Sequence, residues 1–152
     1  MKKYKAFFFV FGIVAALSYS VIFSLSHQKM KSTQIIFKNV SVVTQVSDTV
    51  FLRAQGLSGR KELKDGEGMW FDFGREVPPS SLGFWMKEMN FPIDIIWVSG
   101  GLNVTFIKQN ALSSSYPEVF SPSLAGRYVL EVPAGFSQKY GVSIGDTVKV
   151  QK

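Results

Sequence analysis

The amino-acid sequence predicts an α+β domain, mostly β: a small barrel-like or sandwiched sheet of about seven short strands with two short helices, preceded by an N-terminal transmembrane helix. Three observations predict it. Short runs rich in Val, Ile and aromatics recur between Gly, Pro and Ser clusters from Ile35 onward, the pattern of short strands joined by turns. Only two stretches carry helix start and stop signals. Ahead of both, the run from Ala6 to Leu25 contains no charge.

That apolar run follows Lys2, Lys3 and Lys5. Twenty helical residues span roughly 30 Å, the thickness of a bilayer core. A secretory signal peptide is the competing reading, with Ser24 and Ser26 as small residues around a cut, but Phe23 and Leu25 keep the run apolar up to it. The uncleaved anchor is preferred, with its N-terminus in the cytoplasm, although Lys29 and Lys31 on the far side weaken the charge asymmetry. Both readings place the domain outside the cytoplasmic membrane, secreted if the segment is cleaved. Residues 1–31 are thus anchor and tether, and residues 32–152 a single extracytoplasmic domain.

Within the domain, Ile35 to Val46 reads as one or two strands. "SDTVFLRAQG" reads as a short helix capped by Ser47 or Asp48 and stopped at Gly56. "MWFDF" is a strand, and "GREVPPSS" a loop, since Pro78 and Pro79 cannot serve a central ladder. "LGFWMK" and "IDIIWVS" follow as strands, and Gly100–Gly101 turns the chain into the strand "LNVTFIK". Asn110 to Gly126 reads as a long Ser- and Pro-containing loop, of a length that tends to be functional or mobile. "RYVLEV" is a strand, "PAGFSQKYG" a helical turn or two, and "VSIGDTVKVQ" a tight turn and last strand.

Charge and composition exclude several function classes. Net charge is +6, but residues 1–31 hold five lysines and no acid, leaving 12 Lys/Arg against 11 Asp/Glu in residues 32–152. A domain at +1 without a basic cluster is not expected to bind nucleic acid. The chain has no cysteine, and its one histidine, His27, lies beside the apolar segment. Thiol nucleophiles, disulfides, Cys/His metal sites and a Ser-His relay in the domain are therefore excluded, and no cofactor is expected.

The ordered motifs carry a resemblance. Arg53, "GLSGR" at 56–60, Leu63, "GEGMWFDF" at 66–73, "FWMK" at 84–87, "FPIDIIWV" at 91–98, "YVLEV" at 128–132, "AG" at 134–135 and "GD" at 145–146 together resemble domain-of-unknown-function family 192 (uncharacterised protein family 0127) over residues 40–151. Ser58 stands where the family often has Met, and Glu88–Met89 where it commonly has Asn-Thr. The resemblance implies a compact domain, commonly exported or membrane-anchored, without an established activity.

Seven side chains are candidates for binding chemistry: Arg53, Arg60, Glu67, Trp85, Lys87, Asp94 and Glu131. Strand alternation sets Trp85 and Lys87 opposite Phe84 and Met86. An exposed Trp beside Lys makes a platform for a sugar ring; the alternative is a buried Trp85 with Lys87 lying over it. Asp94 interrupts an apolar strand, where a bare carboxylate costs several kcal/mol, so it needs a partner, and Arg53 or Arg60 are the natural ones. Glu131 shares a strand face with Val129 and is expected to reach the same polar cluster. Glu67 sits in a Gly-flanked loop, where carboxylates are often merely solvated. No catalytic or metal-ligating set emerges.

Three functions compete. The preferred one is a non-catalytic, membrane-tethered binding module of the cell envelope for a glycan or polysaccharide. The second is an interaction or assembly module for another envelope protein. The third is glycoside cleavage by two of Glu67, Asp94 and Glu131, which requires two carboxyls about 5 to 10 Å apart across a cleft.

Overall fold

The computed structural model describes residues 30–151 apart from Asn39. The expected transmembrane helix over residues 6–25 lies outside the described residues. Among those described, no helix is long and apolar enough to cross a membrane.

The first Val- and Ile-rich stretch is a hairpin of β1 (Ser32–Phe37) and β2 (Val40–Ser47). Helix α1 (Val50–Gln55) follows, and its N-cap is Thr49, whose hydroxyl accepts from the Leu52 N–H at 3.2 Å. The expected caps Ser47 and Asp48 fall short because β2 runs through Ser47. After α1 comes β3 (Glu67–Val77), which pairs parallel with β2, so α1 forms a crossover between neighbouring strands. β3 also absorbs Gly74–Val77, expected as loop; only Pro79–Ser81 is a 3₁₀ turn. The strand accommodates this by a register shift between Asp72 and Val77.

"LGFWMK" contributes only the short β4 (Phe84–Trp85). β5 (Ile93–Val98) and β6 (Val104–Ala111) form the hairpin expected at Gly100–Gly101. The predicted long loop contains β7 (Val119–Phe120), which pairs with β4 in a separate two-stranded sheet. β8 (Gly126–Pro133), α2 (Phe136–Lys139) and β9 (Val148–Gln151) complete the chain. Gly135 enters α2 at φ 82°, a left-handed conformation natural to glycine.

The main sheet has seven strands in the order β6-β5-β8-β3-β2-β1-β9. It curls until its edges meet at one end. There Asn103 and Thr147 form an antiparallel bridge, the Val104 N–H donates to the Asp146 carbonyl at 2.9 Å, and the Val148 N–H donates to the Leu102 carbonyl at 2.8 Å. Curling pairs part of two edges that would otherwise lie open. The barrel-like expectation therefore describes the molecule better than a sandwich.

Both faces of the central strands are covered. The concave face packs Ile35, Phe37, Val42, Trp70, Ile96, Val98, Leu130 and Val132 around Phe136 of α2. On the convex face, Met69, Phe71, Ile95, Trp97 and Val129 are also buried. The segment around β4 covers them: Phe84 meets Phe71 and Trp97 edge-on, and the Trp97 Nε1–H donates to the Leu82 carbonyl at 2.9 Å. All six residues of β5 are buried, which explains why "IDIIWV" shows no apolar-polar alternation.

Candidate functional site

On the convex face, α1 and the loop after it stand on one side and the β4 segment on the other. Between them opens a cleft of about 310 Å³, at the low end of the volumes typical of small-molecule sites. Its floor is aromatic, from Phe71 and Phe73 of β3, with Glu131 of β8 beside them. Val50, Arg53, Gln55 and Ser58 form the α1 wall, and Ser81, Phe84 and Trp85 the opposite wall.

Glu131 reaches this place by strand parity. In the β3-β8-β5 ladder it stands between Met69 and Ile95, both buried and apolar. The residue is 5% exposed, and its Oε2 has no hydrogen-bond partner. Burial pushes its carboxyl up to about 8, with the nearby Arg60 charge pulling the other way. Glu131 is thus a neutral acid at pH 7 with hydrogen-bonding capacity that the protein does not use.

Arg53 is fixed from two sides. Its Nη1 donates to the Asp72 carbonyl at 2.9 Å, and its guanidinium lies 4.9 Å from the centroid of the Phe73 ring. Among the described residues no carboxylate pairs with it; Asp72, whose carbonyl it contacts, directs its carboxylate to Arg127 at 3.1 Å. Arg60 bonds Gln45 and supplies its carbonyl to Asn90 Nδ2 at 2.7 Å. Arg60 therefore stays close to Glu131 without neutralising it by direct contact.

Trp85 is 53% exposed at the cleft wall and meets Tyr116 edge-on at 6.1 Å, while Phe84 and Met86 turn inward. Lys87 is exposed but does not line the cleft; its carbonyl accepts from Ser58 Oγ at 3.0 Å, tying the two walls together. Glu67 is exposed and accepts from the Lys64 N–H at 3.1 Å, a local turn contact.

Asp94 differs from its expected role. It is fully buried and accepts backbone N–H groups from Asn110 at 2.8 Å, Gly135 at 3.1 Å and Ser137 at 2.8 Å. Neither Arg53 nor Arg60 is its partner. Asp94 pairs across the ladder with Val132 of the concave core, whereas Ile95 pairs with Glu131, so the two acids project to opposite faces. The polar cluster expected to unite them does not form. Its carboxylate instead fastens the entrance of α2 and the end of β6 to β5.

The structure therefore brings Arg53, Trp85 and Glu131 into one cleft, with Arg60 close behind, and leaves Glu67, Lys87 and Asp94 outside it. Gln55, Ser58 and Phe73 are lining residues that sequence reasoning did not single out. Their signal was weak, because a six-residue helix shows too little periodicity to define a face. Among the described residues, no group of His, Asp and Glu is placed to hold a metal ion.

Comparison with solved structures shows where this architecture recurs. A protein from Sinorhizobium meliloti 1021, provisionally titled a transcription regulator, superposes with a TM-score of 0.75 at 25% identity, over 80% of this chain and 95% of its own. A protein of unknown function from Novosphingobium aromaticivorans DSM 12444 gives a TM-score of 0.68 at 28% identity, over 79% of this chain and 84% of its own. No match was found among curated proteins. The family model described as uncharacterized ACR matches residues 32–150, and the chain belongs to that family, domain-of-unknown-function family 192.

Proposed function

We propose that the domain is a non-catalytic binding module that takes a saccharide in the cleft between α1 and β4, held outside the cytoplasmic membrane by the apolar segment 6–25. One observation carries this reading: a half-exposed Trp85 forms the wall of a cleft that Arg53, Gln55, Ser58 and the largely buried Glu131 also line. The indole face suits the apolar face of a sugar ring, and the polar groups suit its hydroxyls. Glycoside cleavage is disfavoured because, among the described residues, Glu131 is the sole carboxylate lining the cleft, with Asp94 on the opposite face of the sheet. The regulator title of the Sinorhizobium protein is not carried over to this chain, because the near-neutral balance of 12 Lys/Arg against 11 Asp/Glu in residues 32–152 gives phosphate binding no support.

The test is a scan of envelope polysaccharides and oligosaccharides against the full chain, in a detergent without a sugar headgroup. Saturation at a hundredfold over Kd stabilises by about 2.7 kcal/mol. The reading requires such a shift and its loss in Trp85→Ala; a full panel without a shift refutes it.

A second reading, docking of another envelope protein, is favoured by Val50 and Phe51, which are 78% and 75% exposed on α1 beside the cleft. A Phe51→Glu variant that abolishes crosslinking to one defined partner, while no saccharide binds the wild type, would favour it.

A further inference from the structure

We infer that the cleft selects an acidic saccharide, whose carboxylate seats between Arg53 and Glu131 while the sugar ring lies against Trp85. This inference rests on the saccharide reading and narrows it to one substrate class.

The charge of the lining points to an anion. Arg53 is the only Lys or Arg in the lining and has no carboxylate partner among the described residues. Its hydrogen bond to the Asp72 carbonyl and its place over the Phe73 ring restrain the guanidinium before any ligand arrives. A fixed fork of N–H donors matches a planar carboxylate in two parallel bonds. A neutral sugar would leave that cation without a counter-charge.

Glu131 supplies the complementary half. The groups facing it are Met69 and Ile95 on the neighbouring strands, Arg60 behind it and Arg53 in the same cleft. With burial holding its proton to about pH 8, its O–H can donate to a ligand carboxylate, a short charge-assisted bond. No covalent step is involved, and the proton stays on Glu131.

The ligand's own carboxyl is ionised above about pH 4, as carboxyl groups ordinarily are. Affinity should therefore be level between pH 5 and 7 and fall above pH 8, where Glu131 ionises and repels the anion, approaching about tenfold per pH unit.

Calorimetric titration of the full chain, in a detergent without a sugar headgroup, tests this. The probes are trimers of galacturonate, glucuronate and mannuronate, each beside its neutral parent trimer, with galactose 6-phosphate as a further anion. The expected result is that one uronate binds at least about tenfold more tightly than its neutral parent, a selectivity lost in Arg53→Gln. Glu131→Gln should flatten the pH profile between 7 and 9. Thermal melting verifies that each variant is folded; if Arg53→Gln does not fold, Arg53→Lys and the Glu131→Gln profile decide.

Equal binding of acidic and neutral trimers, both lost in Trp85→Ala, overturns the acidic class and leaves the saccharide reading standing. Preferential binding of the sugar phosphate, or uronate binding indifferent to both Arg53 and Glu131, also overturns it. No binding of any probe by the folded chain overturns this inference, and the broader reading falls if the envelope scan is equally silent.

Discussion

Replacing Glu131 by Gln should make the protein more stable at pH 8, which is not the usual result of altering a buried side chain. The carboxyl has a pKa near 4.5 in an unfolded chain and about 8 in the fold. Between those values the unfolded chain has released the proton and the folded one retains it. The unfolded state then binds fewer protons, so stability falls as pH rises, by about 1.4 kcal/mol per pH unit. Across the window the loss attributable to Glu131 is about 5 kcal/mol, most of it incurred between pH 5 and 8. Gln cannot ionise and is nearly isosteric with the neutral acid, so the variant escapes this loss. Urea denaturation of both proteins at pH 4.5, 6, 7 and 8 provides the assay. The two should agree within about 1 kcal/mol at pH 4.5, and the variant should lead by several at pH 8. Taking the difference cancels carboxylates shifted downward, such as Asp146, held low by the Ser143 N–H and Lys38. A difference constant across the series would refute a neutral Glu131, and a less stable variant at pH 8 would refute the strain.

Two further predictions concern the frame around the cleft. Asp94→Ala leaves three backbone N–H groups without their acceptor, of which Ser137's is buried; the expected loss is about 3 to 5 kcal/mol in chemical denaturation, and a loss under about 1 kcal/mol would mean that α2 is held by packing alone. Gly68→Ala would place a Cβ 2.8 Å from the Glu131 carbonyl oxygen and 3.1 Å from Val42 Cγ1, so thermal melting should report about 1 to 3 kcal/mol of destabilisation, and an unchanged melt would show that β3 and β8 can separate locally.

Much of the architecture was legible because it follows from local rules. The turn at Gly100–Gly101, the stop at Gly56 and the strands "IDIIWV" and "YVLEV" need only a few adjacent residues to be read. Parity alone set Trp85 opposite Phe84, and Glu131 on the face of Val129. What could not be read was nonlocal. Parity says which residues share a face but not which face receives a second layer, and here α1 and the β4-β7 pair cover the convex one. The partner of Asp94 was missed for a similar reason. A buried acid in sequence suggests an arginine, whereas three amides offered by the start of α2 and the end of β6 satisfy the carboxylate and leave no mark in residue identity. Strand β7 was hidden because two residues inside a Ser- and Pro-rich segment carry no periodicity.

Asp94 and Glu131 stand on neighbouring strands and are treated in opposite ways. The first receives three N–H donors and becomes part of the frame. The second is buried to a similar depth, yet one oxygen is left without a partner, and the cleft that Glu131 lines also holds Arg53, which has no carboxylate partner among the described residues. A fold able to satisfy one buried acid this completely has the means to satisfy another, and a Gln or Met at 131 would remove the cost at alkaline pH. Local rules broken without structural compensation mark the places where stability is exchanged for function. Glu131 is the clearest such place among the described residues, and it lies in the same cleft as the half-exposed Trp85. The two measurements on Glu131→Gln are therefore linked. A variant that gains stability at pH 8 and also loses the pH dependence of uronate binding ties the cost of the carboxyl to its ligand. Gained stability with unaltered binding would instead make the buried acid a strain without a use in this cleft.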